Sequence, residues 1–234
     1  MRLRILLTTS VFLASIPLVF PKITAAETII SSNFKIDPQE SQFNRAKVYL
    51  FGGNIHYDRG EYDLAIDNYN KAIEIYPRYA DAYNNRGVVY GKQGKYDLAI
   101  DNYSKVIEIY PRYADAYHNR GNAYSNQKRS NLAIADYSKA IEVNPKNDGA
   151  YRNRGIIYSE QGKNNLAIAD YSKAIEINPN YASAYANRSS VYHRQEKNDL
   201  AKIDLENAKR LFQAQGDLAN VEKVNSVLQK FFGK

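Results

Sequence analysis

Apolar positions in this chain fall on a helical period, and the whole pattern then repeats. From Ala80 to Lys92, Tyr83, Gly87 and Tyr90 lie at i, i+4 and i+7, the spacing that lines one face of an α-helix. Gly94 interrupts the pattern, which resumes near Tyr96 as a broad stripe of Leu98, Ile100, Tyr103, Val106, Ile107 and Ile109. Pro111 forbids its continuation, because proline has no amide hydrogen and turns the preceding residue away from helical angles. The pattern predicts two helices joined by a short turn.

That pair returns every 34 residues. Tyr83, Tyr117, Tyr151 and Tyr185 make one ladder, and Tyr90, Tyr124, Tyr158 and Tyr192 a second. Ala65, Ala99, Ala133, Ala167 and Ala201 make a third, and Pro77, Pro111, Pro145 and Pro179 close the units. Such self-similarity is one supersecondary unit stacked on copies of itself, with a core that is continuous only because neighbours bury each other's apolar faces. The units are delimited as 46–79, 80–113, 114–147, 148–181 and 182–215. Gly87 and Ala99 are small where the two helices of a unit cross, and a larger side chain there would overpack at a cost of about 1–3 kcal/mol. Tyrosines filling the gaps between units account for much of the total of 21 without any ligand.

The flanks differ from the units. After a polar stretch over 27–36, Asp37-Pro38-Gln39-Glu40 reads as a helix start, with a capping acid, proline in the first turn and Glu three residues past the cap. Residues 27–45 are thus an extension that leads into the array. At the other end Gln213 stands where proline closes the earlier units, so the last helix of the array should run to about Phe212. Gly216-Asp217 then restarts a helix with Leu218, Val221, Val224, Leu228 and Phe231 on one face. The segment 216–234 is expected to cap the last unit against water.

The first 26 residues have the form of an address. Met1-Arg2-Leu3-Arg4 is basic, Ile5 to Phe20 is apolar apart from Thr8, Thr9, Ser10 and Ser15, and Thr24-Ala25-Ala26 offers small residues for signal peptidase. A cleaved signal, with the mature chain starting at Glu27 outside the cytoplasm, is the expectation. The alternative is a membrane anchor over residues 5–20, but that run is short of the roughly 20 residues a span needs, and Pro17 and Pro21 interrupt it.

Charge changes the picture little. The chain carries 32 Lys+Arg and 25 Asp+Glu, a net +7, and Arg2, Arg4 and Lys22 of the leader supply three of the seven, leaving +4. No run of like charge exists, which argues against a nucleic-acid partner. With 0 cysteines there is no disulfide, thiolate nucleophile or Cys-based metal site.

The array resembles the tetratricopeptide repeat family, whose units carry aromatic, Gly, Tyr, Ala, aromatic, Ala and Pro at fixed offsets. The second unit matches at Tyr83, Gly87, Tyr90, Ala99, Tyr103 and Pro111, with Val106 where the pattern prefers Ala. The fourth matches at Tyr151, Gly155, Tyr158, Ala167, Tyr171, Ala174 and Pro179. Departures fall at the ends: His56 for Tyr, Ser189 for Gly and Gln213 for Pro. The resemblance implies an all-α, right-handed superhelical solenoid of helix-turn-helix repeats with a C-terminal capping helix. It also implies a non-catalytic scaffold or assembly factor that binds a peptide or helix of a protein partner in a concave groove. Any association with membrane complexes would run through such a partner.

By the same resemblance, Asn85, Asn119, Asn153 and Asn187 face that groove, where an amide can both donate to and accept from an extended backbone. Other groove offsets hold His118, Asn122, Arg152, Ser159, Ser190 and Arg194, and Arg78, Tyr79, Arg112 and Tyr113 sit between units. The subclass that grips a terminal carboxylate needs Lys where this chain has Asp81, Asp115, Gly149 and Ser183, so that clamp is not assembled.

No catalytic, cofactor or phosphate-cradling motif is present. His56, His118 and His193 lie in different units and read as packing or surface residues rather than metal ligands. Asp67 with Lys71 and Asp101 with Lys105 read as i, i+4 pairs, and Asp136 with Lys139 and Asp170 with Lys173 as i, i+3 pairs, on helix exteriors. Arg86, Arg120, Arg154 and Arg188 should pack their stems and find an acid or carbonyl. A carbohydrate-binding or hydrolytic site in the groove, built from Tyr and acids, is the alternative from another class.

Overall fold

The computed structural model describes residues 38–233, so the leader and the capping acid Asp37 lie outside the described residues. The chain divides into Met1–Ser41 and a compact unit Gln42–Lys234. Eleven helices make up the described residues, with no strand among them. They are α1 (Pro38–Asp58), α2 (Tyr62–Ile75), α3 (Ala80–Lys92), α4 (Tyr96–Ile109), α5 (Ala114–Asn126), α6 (Ser130–Val143), α7 (Asp148–Glu160), α8 (Asn164–Ile177), α9 (Ala182–Arg194), α10 (Asn198–Ala214) and α11 (Leu218–Phe232). Consecutive helices pack, and each odd-numbered helix from α3 to α7 also touches the next odd-numbered one. The compact unit is therefore a solenoid of helix pairs in which the first helices of successive repeats share one face.

Two turn devices make the pair. Gly94 has φ +71°, and around it the amide of Lys95 donates to Tyr90 O at 2.9 Å and that of Gly94 to Gly91 O at 3.1 Å, the two bonds of a Schellman cap. The same left-handed turn recurs at Gly60, Gly162 and, with a side chain present, at Lys128 and Glu196, both at φ 60°. At the other end, Tyr76 and Tyr110 leave the helix with φ −133°, the extended conformation a following proline demands. Where Gln213 replaces that proline, α10 runs 17 residues to Ala214.

Close approach inside each pair rests on a Gly–Tyr contact. A Cβ at Gly87, Gly121 or Gly155 would stand 2.8 Å from the ring of Tyr103, Tyr137 or Tyr171, so the ring lies directly against the bare backbone of the first helix. The fifth repeat has Ser189 there, and the ring is gone too: Leu205 takes its place. The terminal departure is thus a compensated pair. Beyond it, Val221 and Val224 of α11 cover Leu205, Ala208, Leu211 and Phe212, and the Asp217 side chain caps α11 by accepting from Asn220 N at 3.1 Å.

Candidate functional site

The column Arg86, Arg120, Arg154 and Arg188 is an internal strut. Arg120 donates to both carboxylate oxygens of Asp136 at 2.8 and 2.9 Å and to Ser104 Oγ at 3.0 Å. Arg154 treats Asp170 and Ser138 alike, and Arg188 treats Asp204 and Ser172 alike, at 2.8–2.9 Å. Each guanidinium ties its own repeat's second helix to that of the repeat before. Arg86 finds only amides, Asn102 and Asn70. Burial beside neutral partners pushes its pKa down, whereas hydrogen bonds to Asp136 and Asp170 hold those of Arg120 and Arg154 up.

This corrects the exterior reading of two acids. Asp136 and Asp170 are buried at 6% and 5% exposure and belong to arginines 16 residues earlier, while Lys139 and Lys173 pair with Glu142 and Glu176. Lys105 likewise pairs with Glu108 rather than Asp101. The i, i+3 spacing of these acids from Lys139 and Lys173 holds along the helix, but their carboxylates point at the arginines of the preceding helix.

The asparagine column sits on the face shared by the odd-numbered helices. Its members do different things. Asn85 Nδ2 donates to Asn54 Oδ1 at 2.9 Å, and that same oxygen accepts from Tyr69 OH at 2.9 Å. Two repeats on, the motif returns: Asn122 Oδ1 accepts from Asn153 Nδ2 and from Tyr137 OH, both at 2.8 Å. At the alternate steps the residues equivalent to Asn54 and Asn122 are Val88 and Ile156, which offer no oxygen. Asn119 reaches only Asn84, at 3.4 Å, and Asn187 Nδ2 is buried without a hydrogen-bond partner among the described residues. Depressions of about 310 Å³ and 230 Å³ line this face, one at Asn54, Tyr57, Tyr69 and Asn85, the next at Val88, Tyr103, Asn119 and Asn122.

His118 is held inside this network. Its ring is half-buried edge-on to Tyr137, with Nδ1 3.2 Å from Asn147 Oδ1 and Nε2 3.2 Å from Asn153 Nδ2. The amide donates, so Nε2 is the accepting nitrogen and Nδ1 carries the proton. Burial pushes its pKa down, against the smaller pull of Asn147, Asp115 and Asp148. Gly149 makes room: a Cβ there would stand 2.7 Å from His118 Cε1. Asn147 also caps α7 by accepting from Ala150 N at 2.9 Å.

Arg152 and Arg194 differ from Arg120, Arg154 and Arg188 in pairing with no acid among the described residues. Arg152 lies over the Tyr181 ring at 5.8 Å, donates through Nη1 to Asn153 Oδ1 at 3.0 Å, and leaves Nε buried without a partner among the described residues. Arg194 donates to Ser159 Oγ. Both act electrostatically on Tyr171, whose pKa burial pushes up to about 12 and whose hydroxyl meets Ser159. Ser190 bonds its own helix at Ala186 O. Of the residues between units, Tyr79 is buried against Phe43 rather than presented on the face, Tyr113 bonds Asp81 at 3.1 Å, and Arg78 and Arg112 are exposed. The residues that sequence reading missed are Asn54, Val88, Ile156 and Tyr171. The signal for the first three was the offset of 31 that links each column asparagine to the helix before it, and Tyr171 read only as a packing position of the repeat. No group of three or more metal-ligating side chains occurs among the described residues, and no helix there is long and apolar enough to cross a membrane.

A stack of helix pairs with its first helices on one common face defines a helical-repeat solenoid. Models of the tetratricopeptide repeat match residues 80–113, 114–147, 137–169 and 182–215, and one described as a TPR repeat matches 53–94 and 157–196, together well over half the chain. The chain belongs to the tetratricopeptide repeat family. No curated protein matches it. Among solved structures, the crystal structure of MamA is 25% identical, covering 70% of this chain and 96% of that one with TM-score 0.64. PilF of Pseudomonas aeruginosa is 20% identical, covering 82% and 94% with TM-score 0.68. YrrB, described as a TPR protein with an unusual peptide-binding site, is 22% identical, covering 84% and 97% with TM-score 0.59. At these identities the last two show the fold alone.

Proposed function

We propose that this protein is an exported, non-catalytic interaction scaffold that binds a segment of a partner protein along the face of α1, α3, α5, α7 and α9. The observation that carries this reading is polar groups on that face that the fold does not use. Among the described residues Asn187 and Arg152 keep buried donors without acceptors and Asn119 makes only one long bond, although the repeat supplies a satisfied version of the same arrangement at Asn85 and Asn153. An unmade bond to a buried group costs about 1–3 kcal/mol, so an incoming backbone that completes it gains affinity. The peptide-binding description of YrrB, on the same fold, supports the reading. Asn85, Asn153, Asn122 and His118 shape the face and hold its amides, while Asn119, Asn187, Arg152 and Arg194 meet the partner. Export rests on the leader, with cleavage before Glu27.

A photocrosslinking amino acid at position 119 or 187, compared with one at exposed Leu98 or Leu166 on the second helices, tests the site in the producing cells. A protein adduct from 119 and 187 and none from 98 and 166 is expected. Adducts from the second helices only would overturn the groove. Mass spectrometry of the purified protein reads the N-terminus: Glu27 supports export by cleavage, and an intact Met1 removes it.

A further inference from the structure

Asn187 is the one column asparagine whose amide has no hydrogen-bond partner among the described residues, and the period explains why. Asn153 Nδ2 donates to His118 and Asn122, the residues 35 and 31 positions before it. The same offsets from Asn187 hold Arg152 and Ile156, a second donor and a hydrocarbon. Arg152 Nε is itself buried without a partner among the described residues. Two donors on one step with no acceptor between them suit an oxygen brought from outside. The step is also positive. Among the described residues neither Arg152 nor Arg194 makes a salt bridge, whereas the strut arginines Arg120, Arg154 and Arg188 all do. Glu160, at the exposed end of α7, is the acid whose field also reaches Tyr171, but it pairs with neither arginine.

We propose that the step between α7 and α9 is a carboxylate subsite, taking an internal Asp or Glu side chain of the bound segment, with Arg152, Asn187 and Arg194 as its donors. A carboxylate offers about four lone-pair sites and accepts from an arginine fork and an amide together, while a neutral amide would bring donors of its own. Ile156, four residues on from Arg152, packs against the buried cluster of Tyr171, and apolar neighbours of that kind strengthen hydrogen bonds made beside them. An internal side chain fits better than a chain end because the shared face continues past this step in both directions, through α5 and α3 on one side and to Phe231 of α11, 4.5 Å from His193, on the other. The inference rests on the groove reading above and adds the chemistry of its occupant.

A random 12-residue library displayed with its C-terminus fused selects binders to the purified full-length chain, and synthetic acetylated, amidated versions are then measured by fluorescence anisotropy. Enriched peptides should carry an internal Asp or Glu whose change to Gln or Asn weakens binding about tenfold, the ratio expected between a charged and a neutral acceptor. Arg152→Gln should erase that ratio. So should Asn187→Asp, which places the protein's own carboxylate on the step and should unfold at no lower temperature than the parent. Equal binding of Glu and Gln peptides overturns the subsite and leaves the groove standing. Free-acid versions of the same peptides are measured beside them, and binding confined to the free acids overturns the internal side chain. A library that yields no binder overturns both readings.

Discussion

The arginine column and the asparagine column run side by side through the same helices, one residue apart, and have opposite characters. Arg120, Arg154 and Arg188 meet the same partners at nearly the same distances, an Asp 16 residues on and a Ser 16 residues back. Asn85, Asn119, Asn153 and Asn187 are as regular in sequence, yet each has a different partner set. A residue whose partners keep the period is holding repeats together. A residue that keeps the period while its partners change is where a repeat protein can differ from its own copies, and it is there that the unused donors lie.

The largest test of that contrast is removal of a strut. Asp170→Ala leaves the Arg154 guanidinium partly buried without its counter-charge and should lower stability by about 3 kcal/mol in urea unfolding. Asp170→Asn rebuilds the neutral arrangement found at Arg86 and Asn102 and should cost about 1 kcal/mol. An equal loss in both variants would mean that an amide acceptor cannot stand in for the carboxylate and that the charge carries the strut.

Next in size is the Gly–Tyr contact. Gly121→Val forces side-chain atoms into the Tyr137 ring and should cost about 1–3 kcal/mol. Combining Gly121→Ser with Tyr137→Leu imports the pair from the fifth repeat and should lose less than Gly121→Ser alone. A double variant no better than the single would show that the two positions are not coupled.

His118 gives a smaller, pH-dependent effect. Its folded pKa is held below the ordinary 6.5 by burial, so below about pH 6.5 the unfolded chain takes up a proton that the folded one refuses. Stability from this group is complete above that value and falls as pH drops through 6.5 toward the depressed folded pKa. The melting temperature should therefore decrease from pH 7 to pH 5 by more in the parent than in His118→Gln. Identical slopes would remove His118 from the account.

The smallest effect concerns backbone that keeps the period while the residue does not. Lys128 and Glu196 occupy the left-handed turn that Gly60, Gly94 and Gly162 fill elsewhere, and each should gain about 0.5–1 kcal/mol on change to Gly. No gain in thermal unfolding would show that these turns are set by packing rather than by local strain.

The periodic apolar pattern was enough to place the helix pairs and the proline and glycine punctuation, because each depends on residues within one turn of each other. The arginine strut is half legible: its inward phase can be read, but its acid partner lies 16 residues away, next to a lysine that offers a nearer pairing by spacing alone. The face of the asparagine column was legible only by resemblance, and its alternation between engaged and open amides was not read from the sequence at all.

What the sequence determined by itself is therefore the repeat: its length, its two helices, its turns and its stacking, all fixed by short-range sterics and by an apolar stripe that must be buried. Packing between repeats alone settles which of four identical asparagines is satisfied. That depends on whether Asn54, Val88, Asn122 or Ile156 stands across from it in the preceding repeat, a pairing between helices in successive repeats that no periodicity within either one contains.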